Sequence, residues 1–334
     1  MQLFQVHRAG SIADALKNGA IDSHDGTHTS VRFLAGGTTL VDLMKLDVET
    51  PQRVIDITRL PLDRIEDADD GGLKIGATAR NADLARHPRV LRDYSVLSEA
   101  LLAGASAQLR NMATTGGNLL QRTRCLYFRD TAMACNKRRP GSGCDAIGGY
   151  NRNLAILGTS EHCIATNPSD MNVALMALDA IIHVQGPTGR RSIPIADFFV
   201  LPGSTPERET VIQSGDLITY VTLPPPQKNA RAIYLKLRDR ASYEFALASA
   251  AVIMTRNGDT IDTVQIAMGG IGTRPWRSKA AEDKLKGQKP DAALFRTAAE
   301  TFLDGAAPQS GNAFKVELAK RCLVHALTTT ADMT

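Results

Sequence analysis

Four cysteines, Cys125, Cys135, Cys144 and Cys163, fall within one 39-residue stretch of a 334-residue chain that has only one other, Cys322. Thiols gathered in this way can bind a metal, carry redox chemistry or pair as disulfides. Their spacing, C-x9-C-x8-C-x18-C, lacks the close pairs of common structural zinc sites and of the usual ferredoxin runs. Their surroundings say more. Between residues 121 and 153 seven basic residues (Arg122, Arg124, Arg129, Lys137, Arg138, Arg139 and Arg152) stand against two acids, Asp130 and Asp145. Four thiolates around a metal leave a net negative centre, and nearby Arg and Lys stabilise that charge. Gly141, Gly143, Gly148 and Gly149 let the backbone wrap tightly and aim N–H groups at sulfur, which tunes a cluster's potential. These features favour an iron–sulfur cluster; zinc, disulfides and free thiols stay open. The odd count of five argues against a fully paired disulfide framework. His162, beside Cys163, is a minor ligand candidate. Cys322 shares a helical face with Phe314 and Leu318 and reads as core filler.

A second chemistry lies in two glycine loops. LAGGTTL holds Ala35, Gly36, Gly37, Thr38, Thr39 and Leu40, followed by Val41; MATTGGNLL holds Thr114, Thr115, Gly117 and Asn118. Paired glycines let the backbone approach a ligand closely and turn its N–H groups toward anionic oxygens. The threonines and Asn118 add short hydrogen-bonding side chains. A helix starting after the first loop adds a favourable dipole for a pyrophosphate. Either loop alone reads as a tight turn; two of them point to a dinucleotide. Neither is a P-loop and neither fits GxGxxG. MGGIGTRPW, residues 268 to 276, resembles a Rossmann turn, but Pro275 breaks the helix that should follow. His24 and His28 sit in a polar loop, where a plain loop is the simpler reading than a metal site.

These residues need elements to hold them. The pattern predicts a strand at LFQVHR, a helix opening at Ser11 and stopping at Gly19, a strand at VRFLA, and a helix from Thr38 or Thr39. Strands follow at VIDITRL and GGLKIGATA, then a helical region over roughly 81 to 112. The cysteine segment has little periodicity and is an ordered loop or nothing. Asp170 opens an apolar helix that leads into the strand AIIHVQG. RRSIPIADFF and LITYVTLPPP continue the mixture. After the triple proline at 224 to 226, the best boundary in the chain, come three strands with a break at NGD, and two closing helices. Strands and helices mix without steady βαβ alternation, so the fold class is α+β.

Hydrophobic content of 43%, charged content of 22% and a net charge of +4 suit a globular protein and give no large nucleic-acid face. No apolar run spans a membrane and no signal peptide is evident, so the chain by itself reads as cytoplasmic. Export to the periplasm with a signal-bearing partner subunit would leave no mark on it.

LAGGTTL, TTGGNL, NPSDMNVALMALDA, LKLRDR and GGIGTRPWR occur in this order across the whole chain, which resembles the FAD-binding subunits of the molybdenum hydroxylases. The cysteine-bearing insertion, with its CNKRRPGSGCDAI and YNRNLAILG context, is most similar to the aldehyde oxidoreductase branch that carries an additional [4Fe-4S] cluster. The resemblance implies a vanillyl-alcohol-oxidase-type FAD-binding domain over residues 1 to 224, in two subdomains (1 to 56 and 57 to 224, with the iron–sulfur insertion at 121 to 165). A CO-dehydrogenase-flavoprotein-like α+β domain over 227 to 334 would follow. By similarity, residues 35 to 41 and 114 to 118 cradle the FAD pyrophosphate. Asp170 contacts the cofactor, Ile218 packs on it, and Lys236 stands near the flavin, where positive charge favours the reduced form. An exposed strand lysine is the plainer reading of Lys236. Cys125, Cys135, Cys144 and Cys163 would ligate the cluster. The implied role is electron transfer, with a large molybdenum-cofactor subunit oxidising aldehyde and a small [2Fe-2S] subunit passing electrons on. No catalytic acid, base or nucleophile for the aldehyde is needed here. A 4-hydroxybenzoyl-CoA-reductase-like subunit is the reductive alternative. A zinc-stabilised nucleic-acid-binding module is the alternative from another class.

Overall fold

The structure, a computed structural model, describes residues 1 to 20 and 30 to 333. The loop carrying His24 and His28 lies outside the described residues. Three β-sheets organise the rest. In the first, β1 (Gln5–Arg8), β2 (Val31–Leu34) and β3 (Arg53–Asp56) run parallel in the order β1-β3-β2. Central β3 is buried through Val54 and Ile55, as a parallel strand flanked on both sides must be. The helix Ile12–Gly19 is capped by Ser11, whose side chain accepts the Asp14 N–H, and the helix Leu40–Lys45 follows β2.

The second sheet joins β4 (Ile65–Asp67), β5 (Leu73–Gly76), β6 (Ile181–Gly186), β7 (Gly189–Pro194) and β8 (Leu217–Leu223), antiparallel in the order β4-β5-β8-β6-β7. Leu73, Ile75, Ile182, Val184 and Val221 pack one of its faces against helices that include Ser95–Ala103 and Asp170–Ala177. The helical region expected over 81 to 112 is divided into four. His87 turns extended before Pro88, which opens the next helix; Gly104 is extended and Ala105 takes φ 52.

The third sheet joins β9 (Arg231–Leu237), β10 (Ala248–Asn257), β11 (Thr260–Gly269) and β12 (Trp276–Arg277), antiparallel in the order β12-β11-β10-β9. Gly258, with φ 58, supplies the tight turn expected at NGD. β10 is buried on both faces. Ala251 and Ile253 join the core of the second sheet, while Ala250, Val252 and Met254 face the helices Ala292–Phe302 and Phe314–Asp332. Cys322 is 1% exposed in this latter core, with Leu318 packed against it, as expected; Phe314, assigned to the same face, is 42% exposed instead. The sequence reading missed the three-residue β4, the two-residue β12 and the helix Lys279–Leu285.

The cysteine segment is ordered despite its composition. It has only two short helical turns, Leu126–Arg129 and Asp145–Gly148. Its exit, residues 151 to 156, is strapped to the C-terminal region. Asn151 accepts the Gly311 N–H at 3.0 Å, Asn312 donates to the carbonyls of Leu154 and Ala155, and Lys315 Nζ donates to the carbonyls of Leu154 (2.8 Å) and Gly270. Lys315 is completely buried. Burial, helped by Arg152, drops its pKa from 10.5 to about 7. Between those values the unfolded chain holds more protons than the folded one, so this group's contribution is complete above 10.5 and is lost as pH falls to about 7. The stability of the wild type relative to Lys315→Met should therefore rise with pH across that window, by about 1 kcal/mol per pH unit. Denaturant titrations at several pH values check this.

Candidate functional site

The two glycine loops meet backbone to backbone. A Cβ placed at Gly36 would lie 1.9 Å from the Met112 carbonyl oxygen, and Gly37 takes φ +70. Only glycine allows that approach. The second loop is fixed from below. The Thr115 N–H and hydroxyl both donate to the Ala79 carbonyl, and the Gly116 N–H donates to that of Ala77. The Thr114 hydroxyl accepts the Gly117 N–H. Asn118 Oδ1 accepts from Ser169 Oγ at 2.8 Å, and Ser169 in turn caps the helix Asp170–Ala177. The loop and the start of that helix thus form one hydrogen-bonded unit.

Above this unit opens a cavity of about 280 Å³. It adjoins a second of about 230 Å³, with Arg124, Pro168, Asp170, Glu244 and Phe245 lining both. Together they reach the size of a cofactor pocket. Of the residues singled out from sequence, Thr38, Thr39, Gly117, Asn118, Asp170 and Lys236 line the larger cavity. Ala35, Gly36, Gly37, Leu40, Val41, Thr114 and Thr115 belong to the same loops but do not line it. Ile218 does not line it either: on β8, it is 4% exposed within the core of the second sheet.

Lys236 is not the exposed strand lysine of the plainer reading. Its side chain is 4% exposed and donates to Asp170 Oδ2 at 2.8 Å and to the Ala103 carbonyl at 3.1 Å. The other Asp170 oxygen accepts from the Tyr234 hydroxyl at 2.5 Å. Burial first, and the Asp170 charge second, push the Tyr234 hydroxyl well above its ordinary pKa, so it remains a donor. Sequence reading missed Tyr234, although it stands two residues before Lys236 on a strand and so shares its face. It also missed Asn81. The Asn81 Oδ1 is buried without a hydrogen-bond partner among the described residues, and Asn81 lines the cavity. An orphaned acceptor beside glycine loops, hydroxyls and one lysine fits a polar, anionic dinucleotide such as FAD.

The second adjoining cavity reaches Cys125. Cys125, Cys135 and Cys163 are buried in one small core with Phe128, Leu154 and Ile164, and Cys144 packs against it. All four thiols are free. Burial raises Cys125 to about 11, opposed by the N–H groups of Phe128 and Tyr127, and its neighbours Cys135 and Cys163 add to the rise. Burial also raises Cys144 and Cys163, against backbone N–H groups directed at their sulfurs. The thiols share one small core, and amides face three of them. Among the described residues no three His, Cys, Asp or Glu side chains stand close enough together to form a finished metal cage. The donor set suits a thiolate-bound metal, which would have to draw the sulfurs in and deprotonate them.

The basic residues here turn inward. Asp42 pairs with Arg124 (3.0 Å) and Arg129 (2.9 Å); Glu49 pairs with Arg32 and Arg122. Glu209 pairs with Arg122 and Lys137. Burial would raise the Glu209 carboxyl, but these two cations hold it below its ordinary value. Arg138 donates to the carbonyls of Tyr127 and Phe128, and Arg152 pairs with Asp239. Of the seven, Arg139 is the exposed one.

Residues 2 to 226 match the FAD binding domain in molybdopterin dehydrogenase, and residues 233 to 330 match the CO dehydrogenase flavoprotein C-terminal domain. The chain is 54% identical over 297 residues to the aldehyde oxidoreductase FAD-binding subunit PaoB of Escherichia coli (strain K12), covering 89% of this chain and 90% of that one. It is 28% identical to the glyceraldehyde dehydrogenase medium chain of Sulfolobus acidocaldarius, covering 86% and 82%. In fold it is similar to carbon monoxide dehydrogenase from Hydrogenophaga pseudoflava, with TM-score 0.76, 24% identity and coverage of 98% and 97%. It is likewise similar to reconstituted CO dehydrogenase from Oligotropha carboxidovorans, with TM-score 0.78, 22% identity and full coverage of both chains.

Removing one member of a buried ion pair strands the other, which typically costs about 3–5 kcal/mol. Asp170→Ala should lower stability by about that amount by leaving Lys236 unpaired, whereas Arg139→Ala, at an exposed site, should change it by less than about 0.5 kcal/mol. Thermal or chemical denaturation of the two variants compares them.

Proposed function

The chain belongs to the family of FAD-binding subunits of the molybdenum hydroxylases, and on that footing we propose that it is the electron-transfer subunit, carrying FAD and a [4Fe-4S] cluster, of a molybdenum-dependent aldehyde oxidoreductase. The observation that carries the reading is the meeting of two glycine loops and the Asp170–Lys236 pair around one cavity that adjoins a four-thiol core. The 54% identity to an aldehyde oxidoreductase subunit favours this over the thioester-reducing alternative. The inward pairing of the basic residues speaks against a nucleic-acid face.

In this reading residues 35 to 41 and 114 to 118 hold the pyrophosphate, with Thr38, Thr39, Gly117 and Asn118 nearest the ligand. Lys236 places an ammonium at the cavity wall, and Asp170 fixes where that ammonium sits. The resemblance has Ile218 packing on the cofactor, although it lies in the core of the second sheet and does not line the cavity. Bound FAD supplies one- and two-electron exchange between the partner subunits' centres and an external oxidant. Aldehyde oxidation belongs to a large molybdenum-cofactor partner, with a small [2Fe-2S] partner between them. Cys125, Cys135, Cys144 and Cys163 hold the cluster, whose first task is to order a segment with little apolar content. The domain division follows the same similarity: residues 1 to 224 for FAD (1 to 56, then 57 to 224 with the insertion at 121 to 165) and 227 to 334 after it. Among the described residues no helix is long and apolar enough to cross a membrane.

The purified chain should show yellow flavin absorbance over a broad brown background, and denaturation should release both FAD and iron. Cys135→Ser should lose iron and soluble yield together. Colourless protein would sink the whole reading, and normal iron content in the variant would remove Cys135 from the ligand set.

A further inference from the structure

We propose that Tyr234 is a positioning residue of the flavin site, acting through its hydrogen bond to Asp170 to set how much negative charge that carboxylate turns toward the cavity. The inference rests on FAD occupying the cavity that Asp170 and Lys236 line.

Tyr234 and Lys236 lie two apart on β9, so their side chains share a face, and both reach Asp170. Each takes a different carboxylate oxygen. Asp170 and Lys236 line the cavity; Tyr234 does not, and touches it only by way of Asp170. The strand is pinned at this point, because the Tyr234 N–H donates to the Glu99 carboxylate at 2.7 Å. A phenylalanine would fill the same space. The hydroxyl is a polar group in a buried position that is satisfied by Asp170. In so dry a place a hydrogen bond to a carboxylate is charge-assisted and strong. The hydroxyl draws off part of the Asp170 charge. Without it, the full carboxylate charge faces Lys236 and the cavity. The ammonium is held harder, the cavity turns more negative, and added electrons on the ligand are less well stabilised.

The test measures the reduction of FAD in the full chain against a reference dye. In Tyr234→Phe the equilibrium constant for flavin reduction should fall about tenfold, which is about 30 mV for a two-electron couple. Incorporating 3-fluorotyrosine at Tyr234, a stronger donor with the same packing, should shift the constant the other way. A purely structural role predicts no such ordering. Wild-type protein that retains flavin while the three forms reduce alike overturns this inference alone. Wild-type protein without flavin overturns the cofactor reading and this inference with it. A Tyr234→Phe variant that unfolds leaves the fluorotyrosine form to decide: an unshifted constant there overturns the proposal, and a raised one supports it.

Discussion

One carboxylate ties the molecule together. Asp170 opens a helix of the central layer, yet both of its oxygens are taken by side chains of β9, in the following sheet. Its capping neighbour Ser169 reaches the second glycine loop. The loop, the helix start and the C-terminal sheet are therefore held in one relation by a few short hydrogen bonds. A cavity built at such a junction has walls from three directions, and its polar groups are oriented before any ligand arrives. Preorganisation of that kind lowers the ordering that binding requires.

The cysteine segment solves a different problem. It has too little apolar content to fold on its own hydrophobic surface. Three acids from outside it, Asp42, Glu49 and Glu209, draw its basic residues inward, and the Asn312–Lys315 strap closes its exit. The positive charge that the composition shows is thus largely spent on holding the segment down. Lys137 and Arg122 come to rest near Cys163 and Cys135 in the process. The same residues that anchor the loop thus stand beside its thiols.

Most strands and helices with a clear period and a turn at their ends were legible in the sequence. The Ser11 cap, the helix at Asp170 and the NGD hairpin fell where local chemistry puts them. β4 was missed because three residues carry no period, and the long helical region was overread because the break at His87 depends on the proline that follows. The glycine loops and the cysteines were visible as candidates, since their residue types are informative alone. Their mutual placement was not. That Gly36 backs onto Met112, that Lys236 is buried, or that Tyr234 serves Asp170, depends on contacts between residues 64 to 76 positions apart along the chain, which no local pattern encodes.

The proline run at 224 to 226 marks a change of sheet, but not a change of core. β10 gives alternate side chains to two hydrophobic clusters, one on each of its faces. Cutting the chain at the prolines would therefore strip an apolar wall from the piece before it as well as from the piece after it. Neither fragment would be expected to stay soluble alone. During synthesis the core behind the second sheet stays open on one side until β10, with Ala251 and Ile253, has left the ribosome.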